Sequence, residues 1–274
     1  AALGYRSLEK NTTGANNTGL GYYALRENTT GSENTAVGAY AGDAITTGAD
    51  NVAIGDRALT STTTADANTA VGAHALDDNS TGANNVAVGT RALDANTTGG
   101  NNTAIGAYAL DANTTAGDNT AVGYGALGAN TTGTHNTGAG YAALNDSTTS
   151  SDNTAFGYKA GELITTGGNN TAIGSDTLRT NTTGHNNIAI GLNALESSTT
   201  ASNNIAIGVD AGRLNTTGTD NVYIGRSAGE AGTTAERCTA VGDLALDVNT
   251  TATDNNAFGY AALGANTTGA GNLA

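Results

Sequence analysis

The sequence predicts an all-β protein, a parallel β-solenoid (β-roll) of about 16 coils with 17 residues per coil. Three observations predict it. An Asn recurs at an unbroken 17-residue interval from Asn17 to Asn272, and the one slot not filled by Asn holds the only cysteine, Cys238. Each of these is followed by a three-residue segment such as Thr35-Ala36-Val37 or Val52-Ala53-Ile54, with large or β-branched residues around a small one. A Gly then closes the segment in every copy, from Gly4 to Gly259. A fixed short unit of this kind buries nothing alone and must stack on its neighbours.

The consensus unit is N-T-A-[VI]-G-x-x-A-L-x-x-N-T-T-G-x-[ND], numbered from its Asn. Positions 2–4 carry β-branched residues in alternation and read as a short strand. The Gly at position 5 marks a backbone conformation or close approach that a side chain would forbid. The Asn-Thr-Thr-Gly of positions 12–15 supplies a second corner. Gly, Thr and Asn oppose helix, and a 17-residue period fits no coiled coil. Stacked at about 4.8 Å, sixteen coils give a rod on the order of 75 Å.

Composition alone points elsewhere. The 274 residues include 40 Gly, 2 Phe and no Pro, Trp or Met, with a formal charge of −14. Leu, Ile, Val and Phe together make about 15 % of the chain, the range of disordered sequences. Such a chain excludes a globular enzyme core, and it has no apolar run long enough to span a membrane. The unbroken period decides for order over disorder.

Two columns test the stacking. Position 10 reads Glu162, Arg179, Glu196, Arg213, Glu230 in successive coils, and Glu9, Arg26, Asp43 near the start. Alternating charge 17 residues apart makes sense where those residues are neighbours, although Asp77, Asp94 and Asp111 place three like charges in a row. Position 9 is Leu in most units but Gly at 42, 161, 212 and 229. Ile45, Leu163 with Ile164, and Leu214 follow three of these and read as volume compensation; nothing comparable follows Gly229. The core is expected from positions 4 and 9, as in Val37, Ile54, Leu59, Val71 and Leu76. The small residues of position 3 (Ala36, Ala53, Ala70, Ala87, with Tyr223 the exception) form a flat strip. That strip is open to two readings, close approach of another chain or steric economy in a narrow coil.

The segments DNVAIG at 50–55, NNVAVG at 84–89, NNIAIG at 186–191 and 203–208, and DNVYIG at 220–225 resemble the head repeats of trimeric autotransporter adhesins. The longer NTTGxxNTAxGxxAL pattern is also similar to repeats of bacteriophage fibres. The unit departs from the usual adhesin-head coil in its greater length, with Asn-Thr-Thr in the extra residues. The resemblance implies a homotrimer of parallel β-rolls at a cell or virion surface, and a cell-surface glycan or protein receptor as partner. The whole chain then reads as a single repetitive segment of a longer extracellular fibre.

No catalytic constellation emerges, so no enzyme activity and no cofactor are expected. His74, His135 and His185 occupy different positions in separated coils, which disfavours a shared metal site. Cys238 has no partner for a disulfide or thiolate centre. The Asp77–Asp94–Asp111 column would accept a calcium ion, but solvated like charges are the simpler reading. The acidic balance argues against nucleic acid. The Asn columns are expected to form hydrogen-bonded ladders, a role that also accounts for the Asn-Thr-Thr matches to the glycosylation acceptor. Tyr22, Tyr23 and Tyr40 in adjacent coils, and Tyr124, Tyr141 and Tyr158 in one column, are the candidate surface-binding residues; the competing reading is that they stack on one another. A structural or adhesive fibre is therefore the leading functional expectation. An ice-binding solenoid presenting a row of Thr from the Asn-Thr-Thr corner is the alternative.

Overall fold

The computed structural model describes residues 1–274 and contains no helix. The chain divides into two compact units, Ala1–Asn136 and Thr137–Ala274. Each unit is a parallel β-solenoid. The first runs from β1 (Ala2–Leu3) and β2 (Thr18–Leu20) to β8 (Thr120–Val122), and the second from β9 (Thr137–Ala139) to β16 (Asn256–Phe258). Within each unit the strands pair in chain order, and each residue sits opposite the one 17 further on, as in Ala53 with Ala70 and Ala189 with Ala206.

The strands occupy positions 2–4, but they face the other way from the sequence expectation. Ala36, Ala53, Ala70 and Ala87 at position 3 are buried, while Val37 and Val71 are half-exposed and Ile54 is 39 % exposed. Positions 2 and 4 therefore point outward, and the alanine strip is sealed inside the coil. The reason is the width of the interior. Behind the strand lie Ala at position 8 and Leu at position 9, and the α-carbon of position 9 is close enough for a methyl there to sit 3.7 Å from Ala36 Cβ. A methyl fits at position 3, and one Leu per coil, such as Leu59, Leu76 and Leu93, fills what remains.

The turn that brings this Leu back is made of left-handed backbone. Residues at positions 7 and 9, for instance Arg91 and Leu93, have φ of 55° and 56°. Left-handed Leu costs about 1–2 kcal/mol in backbone energy, which burial of the side chain offsets at roughly 1.5–3 kcal/mol. Where position 9 is Gly, the conformation is free but the volume must come from elsewhere. Ile45 and Ile164, fully buried at position 12, supply it beside Gly42 and Gly161. Leu163 and Leu214 are half-exposed and do not. Tyr223 fills the space at both Gly212 and Gly229: its ring carbons lie 2.7 Å from a Cβ built on the first and 2.3 Å from one built on the second. One aromatic ring thus replaces two leucines, which accounts for the coil that sequence reasoning left without a filler.

Position 5 explains its invariance by contact. These glycines have φ between 123° and 142°, and a Cβ on Gly106 would stand 2.4 Å from the carbonyl oxygen of Gly123 in the next coil.

Outside the strand, backbone bonds between coils, such as Leu25 N–H to Ala41 O at 3.0 Å, are joined by two buried Asn columns. At position 1, Asn51 Oδ1 accepts the backbone N–H of Asn68 at 3.0 Å, and the pattern repeats at Asn68–Asn85 and Asn187–Asn204. At position 12, Asn96 Nδ2 donates to Asn79 Oδ1 at 2.9 Å and Asn113 Nδ2 to Asn96 Oδ1 at 2.9 Å. Both columns also donate to one carbonyl at position 15: Gly82 O accepts from Asn68 Nδ2 at 3.0 Å and from Asn79 Nδ2 at 2.9 Å. The Thr at position 13 adds a further rung, as when Thr29 Oγ1 donates to Thr46 O at 3.0 Å.

Gly106→Ala should destabilise the chain by about 2 kcal/mol or more, since strained backbone and a backbone clash combine; urea unfolding measures it. Tyr223→Ala should cost about 3–5 kcal/mol through the cavity it leaves. Adding Gly212→Leu and Gly229→Leu to that variant should restore most of the loss, because the other coils hold Leu in the same backbone conformation. Failure of the triple variant to recover would overturn the exchange of one ring for two leucines.

Candidate functional site

Charge is sorted strictly along the unit. Every Asp, Glu, Lys and Arg falls at positions 6, 7, 10, 11, 16 or 17, so the strand and the Asn-Thr-Thr corner carry none. The outward face of the strand is therefore uncharged. Its position-4 column reads Leu3, Leu20, Val37, Ile54, Val71, Val88, Ile105 and Val122 in the first unit. In the second it reads Ala139, Phe156, Ile173, Ile190, Ile207, Ile224, Val241 and Phe258. Ile54, Ile105, Val122, Phe156, Ile173, Ile207 and Ile224 are among the exposed large apolar residues, with Phe156 reaching 45 %. An apolar column along the parallel sheet of each unit is the kind of surface that solvated monomers avoid. Sequence reasoning placed these residues inside and so missed the face. The signal was present in the width of the coil, which one Leu and two Ala already fill.

The predicted tyrosines divide between the units. Tyr22, Tyr23 and Tyr40 gather with Tyr5 in the first coils, with centroid distances of 5.4 Å for Tyr5–Tyr22 and 4.2 Å for Tyr22–Tyr23. Arg26 lies 4.6 Å over the Tyr23 ring. A hydrogen bond with Tyr23, ahead of desolvation and the charge of neighbouring phenols, pushes Tyr22 up to about 12. Tyr124 packs edge-on against Tyr108 at 5.6 Å. In the second unit Tyr141 and Tyr158 stack at 5.4 Å with an interplanar angle of 16°. Each of these rings packs against a neighbour, by its face in Tyr5–Tyr22 and Tyr141–Tyr158 and edge-on in Tyr22–Tyr23 and Tyr108–Tyr124.

The carboxylate column is less solvated than expected. Asp77 is buried, with His74 Nδ1 2.8 Å from its Oδ2 and Arg57 Nε at 3.5 Å. His74, Asp77 and Asp94 bring potential ligand atoms within 4.8 Å of one another. Arg91 lies 3.8 Å from Asp94, so arginines of the chain itself oppose this charge. Burial, then the charges of Asp111 and Asp77, pushes the Asp94 carboxyl up, and burial does the same at Asp111. Alternating charge behaves as the register requires at Arg26–Asp43 (3.2 Å) and Arg213–Glu230 (2.6 Å). Arg179 instead meets Asp176, and Glu162 meets Lys159, within their own coils.

Other predicted groups are absorbed by structure. His135 Nε2 is 3.9 Å from Asp118, and His185 Nδ1 accepts the Gly168 N–H at 3.0 Å. Cys238 is buried, its N–H bound to Asn221 Oδ1 and its thiol 3.3 Å from Ala252 O, the position-15 carbonyl that an Asn amide would otherwise reach. Burial pushes that thiol up, away from thiolate reactivity. Most Asn residues of the Asn-Thr-Thr corners are fully buried, and Asn96 has both ends of its amide engaged.

These features define a repetitive β-solenoid whose chemistry lies in ordered outer columns. Comparison with protein-family models, with characterised proteins and with solved structures yields no match.

Asp94→Asn and Asp111→Asn should both stabilise the fold near pH 7. A carboxyl that titrates higher in the folded chain favours folding when protonated; that contribution is full below the ordinary Asp value and is lost as pH rises through the raised one. The midpoint of thermal unfolding should rise by roughly 1–4 °C. The gain should vanish below about pH 3.9, as thermal melts across that range would record.

Proposed function

We propose that this chain is the structural, adhesive part of an extracellular fibre, assembled from identical copies and without catalytic activity of its own. The observation that carries the reading is the outward apolar column of position 4. In sixteen coils it holds no polar residue, whereas positions 6 and 7, equally free to vary, range across Tyr, Asp, Arg, Ser, Ala and Leu. A column bathed in water has no reason to exclude Thr and Ser; a column packed dry against another chain does. The occupant that fits is a second copy, since a partner with the same coil spacing matches the column along its length.

Three copies, packed sheet to sheet, is the arrangement that the resemblance to adhesin heads implies. It would bury Val, Ile and Phe while leaving the charged columns in water. The acidic surface, at −14 per chain, keeps assembled fibres apart through mutual repulsion. The tyrosine groups, in which Tyr22, Tyr40, Tyr124, Tyr141 and Tyr158 are exposed, then offer outward aromatic surface for contact with a surface glycan or protein.

Sedimentation equilibrium of the purified chain tests this reading. The expected result is a trimer at micromolar concentration. Ile190→Lys with Ile207→Lys should dissociate it while leaving the circular dichroism of the folded chain unchanged. A native chain that stays monomeric would overturn the assembly.

A further inference from the structure

One invariant column has no structural explanation, and it stands on a different side of the coil from the strand. Position 14 is Thr in all sixteen coils: Thr13, Thr30, Thr47, Thr64, Thr81, Thr98, Thr115 and Thr132 in the first unit, and eight from Thr149 to Thr268 in the second. All sixteen are exposed. The threonines one residue earlier spend their hydroxyls on the next coil's carbonyl, as Thr97 does on Thr114 O and Thr182 on Thr199 O. The position-14 hydroxyls make no such bond within the chain. The other near-invariant positions are all engaged within the fold, with Asn at 1 in the ladder, Ala at 3 and 8 in the core, Gly at 5 against the next carbonyl and Thr at 13 bonded to the next coil. Only position 14 is held constant while facing solvent.

The surroundings of the column are built to the same pattern. Position 15 turns inward and position 16 outward again, and position 16 is Ala, Gly, Ser or Thr in all but Asp66, His185 and Glu236. No charged residue lies at positions 12–15. The corner at position 17, where residues such as Asn101 have φ of 60°, separates this side from the apolar strand. Each unit thus presents a row of hydroxyl and methyl groups at the coil spacing of about 4.8 Å, beside a second row of mostly small residues that Asp66 interrupts in the first unit and His185 and Glu236 in the second.

We propose that these threonine columns bind the surface of ice. A soluble ligand contacts one or two coils and gains nothing from eight identical ones. A ligand with its own regular lattice gains from each copy, because every contact after the first is intramolecular. Two periodic ligands come into question, a crystalline polysaccharide and ordered water. Sugars are held by aromatic faces and by charged or amide groups, and the column has none of these. Its hydroxyls bond water, its methyls exclude it, and the coil spacing is close to that of oxygen rows in hexagonal ice. The proposal does not rest on the fibre reading; self-association through the strand leaves these columns free and multiplies them.

The test is nanolitre osmometry with ice-crystal imaging on the full chain. The expected result is thermal hysteresis with shaped crystals. A variant carrying Thr98→Lys, Thr115→Lys, Thr183→Lys and Thr200→Lys should lose the activity by roughly tenfold or more, with circular dichroism and thermal midpoint retained. Ala107→Lys with Ser175→Lys, at position 6, should keep it. Should the quadruple variant misfold, Thr→Val at the same four sites preserves shape and should weaken activity without abolishing it. Absence of any shaping at high micromolar protein would overturn the proposal, as would hysteresis unaffected by the lysines. Retention on insoluble cellulose or chitin that the lysines abolish, without hysteresis, would also overturn it and assign the columns to carbohydrate.

Discussion

The fold depends on hydrogen bonds that tie each coil to the next. Buried N–H and C=O groups without partners cost about 1–3 kcal/mol each. Outside the three-residue strand many backbone groups bond to the adjacent coil, as Leu25 N–H does to Ala41 O and Thr29 N–H to Thr46 O, while the position-15 carbonyl is met by side chains. In coils with Asn at both positions 1 and 12, the oxygen at position 15 collects both amides, as from Asn68 and Asn79 on Gly82. The same Asn side chains reach the neighbouring coil through their Oδ1 atoms. Closure of one coil and stacking on the next are therefore the same hydrogen-bond network. This is why a chain so poor in large apolar residues is ordered: polar groups specify the interior, and one Leu per coil fills it.

Where an Asn is missing, the replacements show which part of the network matters. Thr62 keeps the ladder by accepting from Asn79 Nδ2 and donating to Asn79 O. Cys238 supplies a donor to the position-15 carbonyl in place of an amide. Ile45 and Ile164 abandon the ladder at position 12 but occur only where Gly at position 9 has emptied the core. Polar closure and apolar volume can be exchanged at one position provided the adjacent one compensates.

Much of this was legible in the sequence, because period and register are properties of spacing. The interval between Asn residues gave the pairing of Ala53 with Ala70, and the ladders followed from the repetition of Asn at two positions. Ile45 and Ile164 could be matched to their glycines because they lie three residues away. The orientation of the strand could not be read from alternation, since a three-residue segment with one small central residue is consistent with either face inward. Interior width decided it, and width depends on left-handed backbone at positions 7 and 9 that Arg91 and Leu93 do not announce. Tyr223 escaped for a related reason: it compensates Gly212 across eleven residues and Gly229 across six, distances set by the path of the coil. Of the surface residues, the tyrosines were found because aromatics are rare here. The position-4 column was hidden by its likeness to a core.

The sharing of Tyr223 between two glycine sites also bears on how such an array changes length. Coils of identical span can be gained or lost by recombination between repeats without disturbing register, since each brings its own core filler, a Leu at position 9 or, beside Gly42 and Gly161, an Ile of the same coil. The coils containing Gly212 and Gly229 are an exception. Deleting the Tyr223 coil while keeping Gly212 leaves a void, and inserting a consensus coil between them sets a Leu against the ring. That stretch behaves as a linked block that must be copied or discarded whole, a fixed point in a chain otherwise free to vary its number of turns.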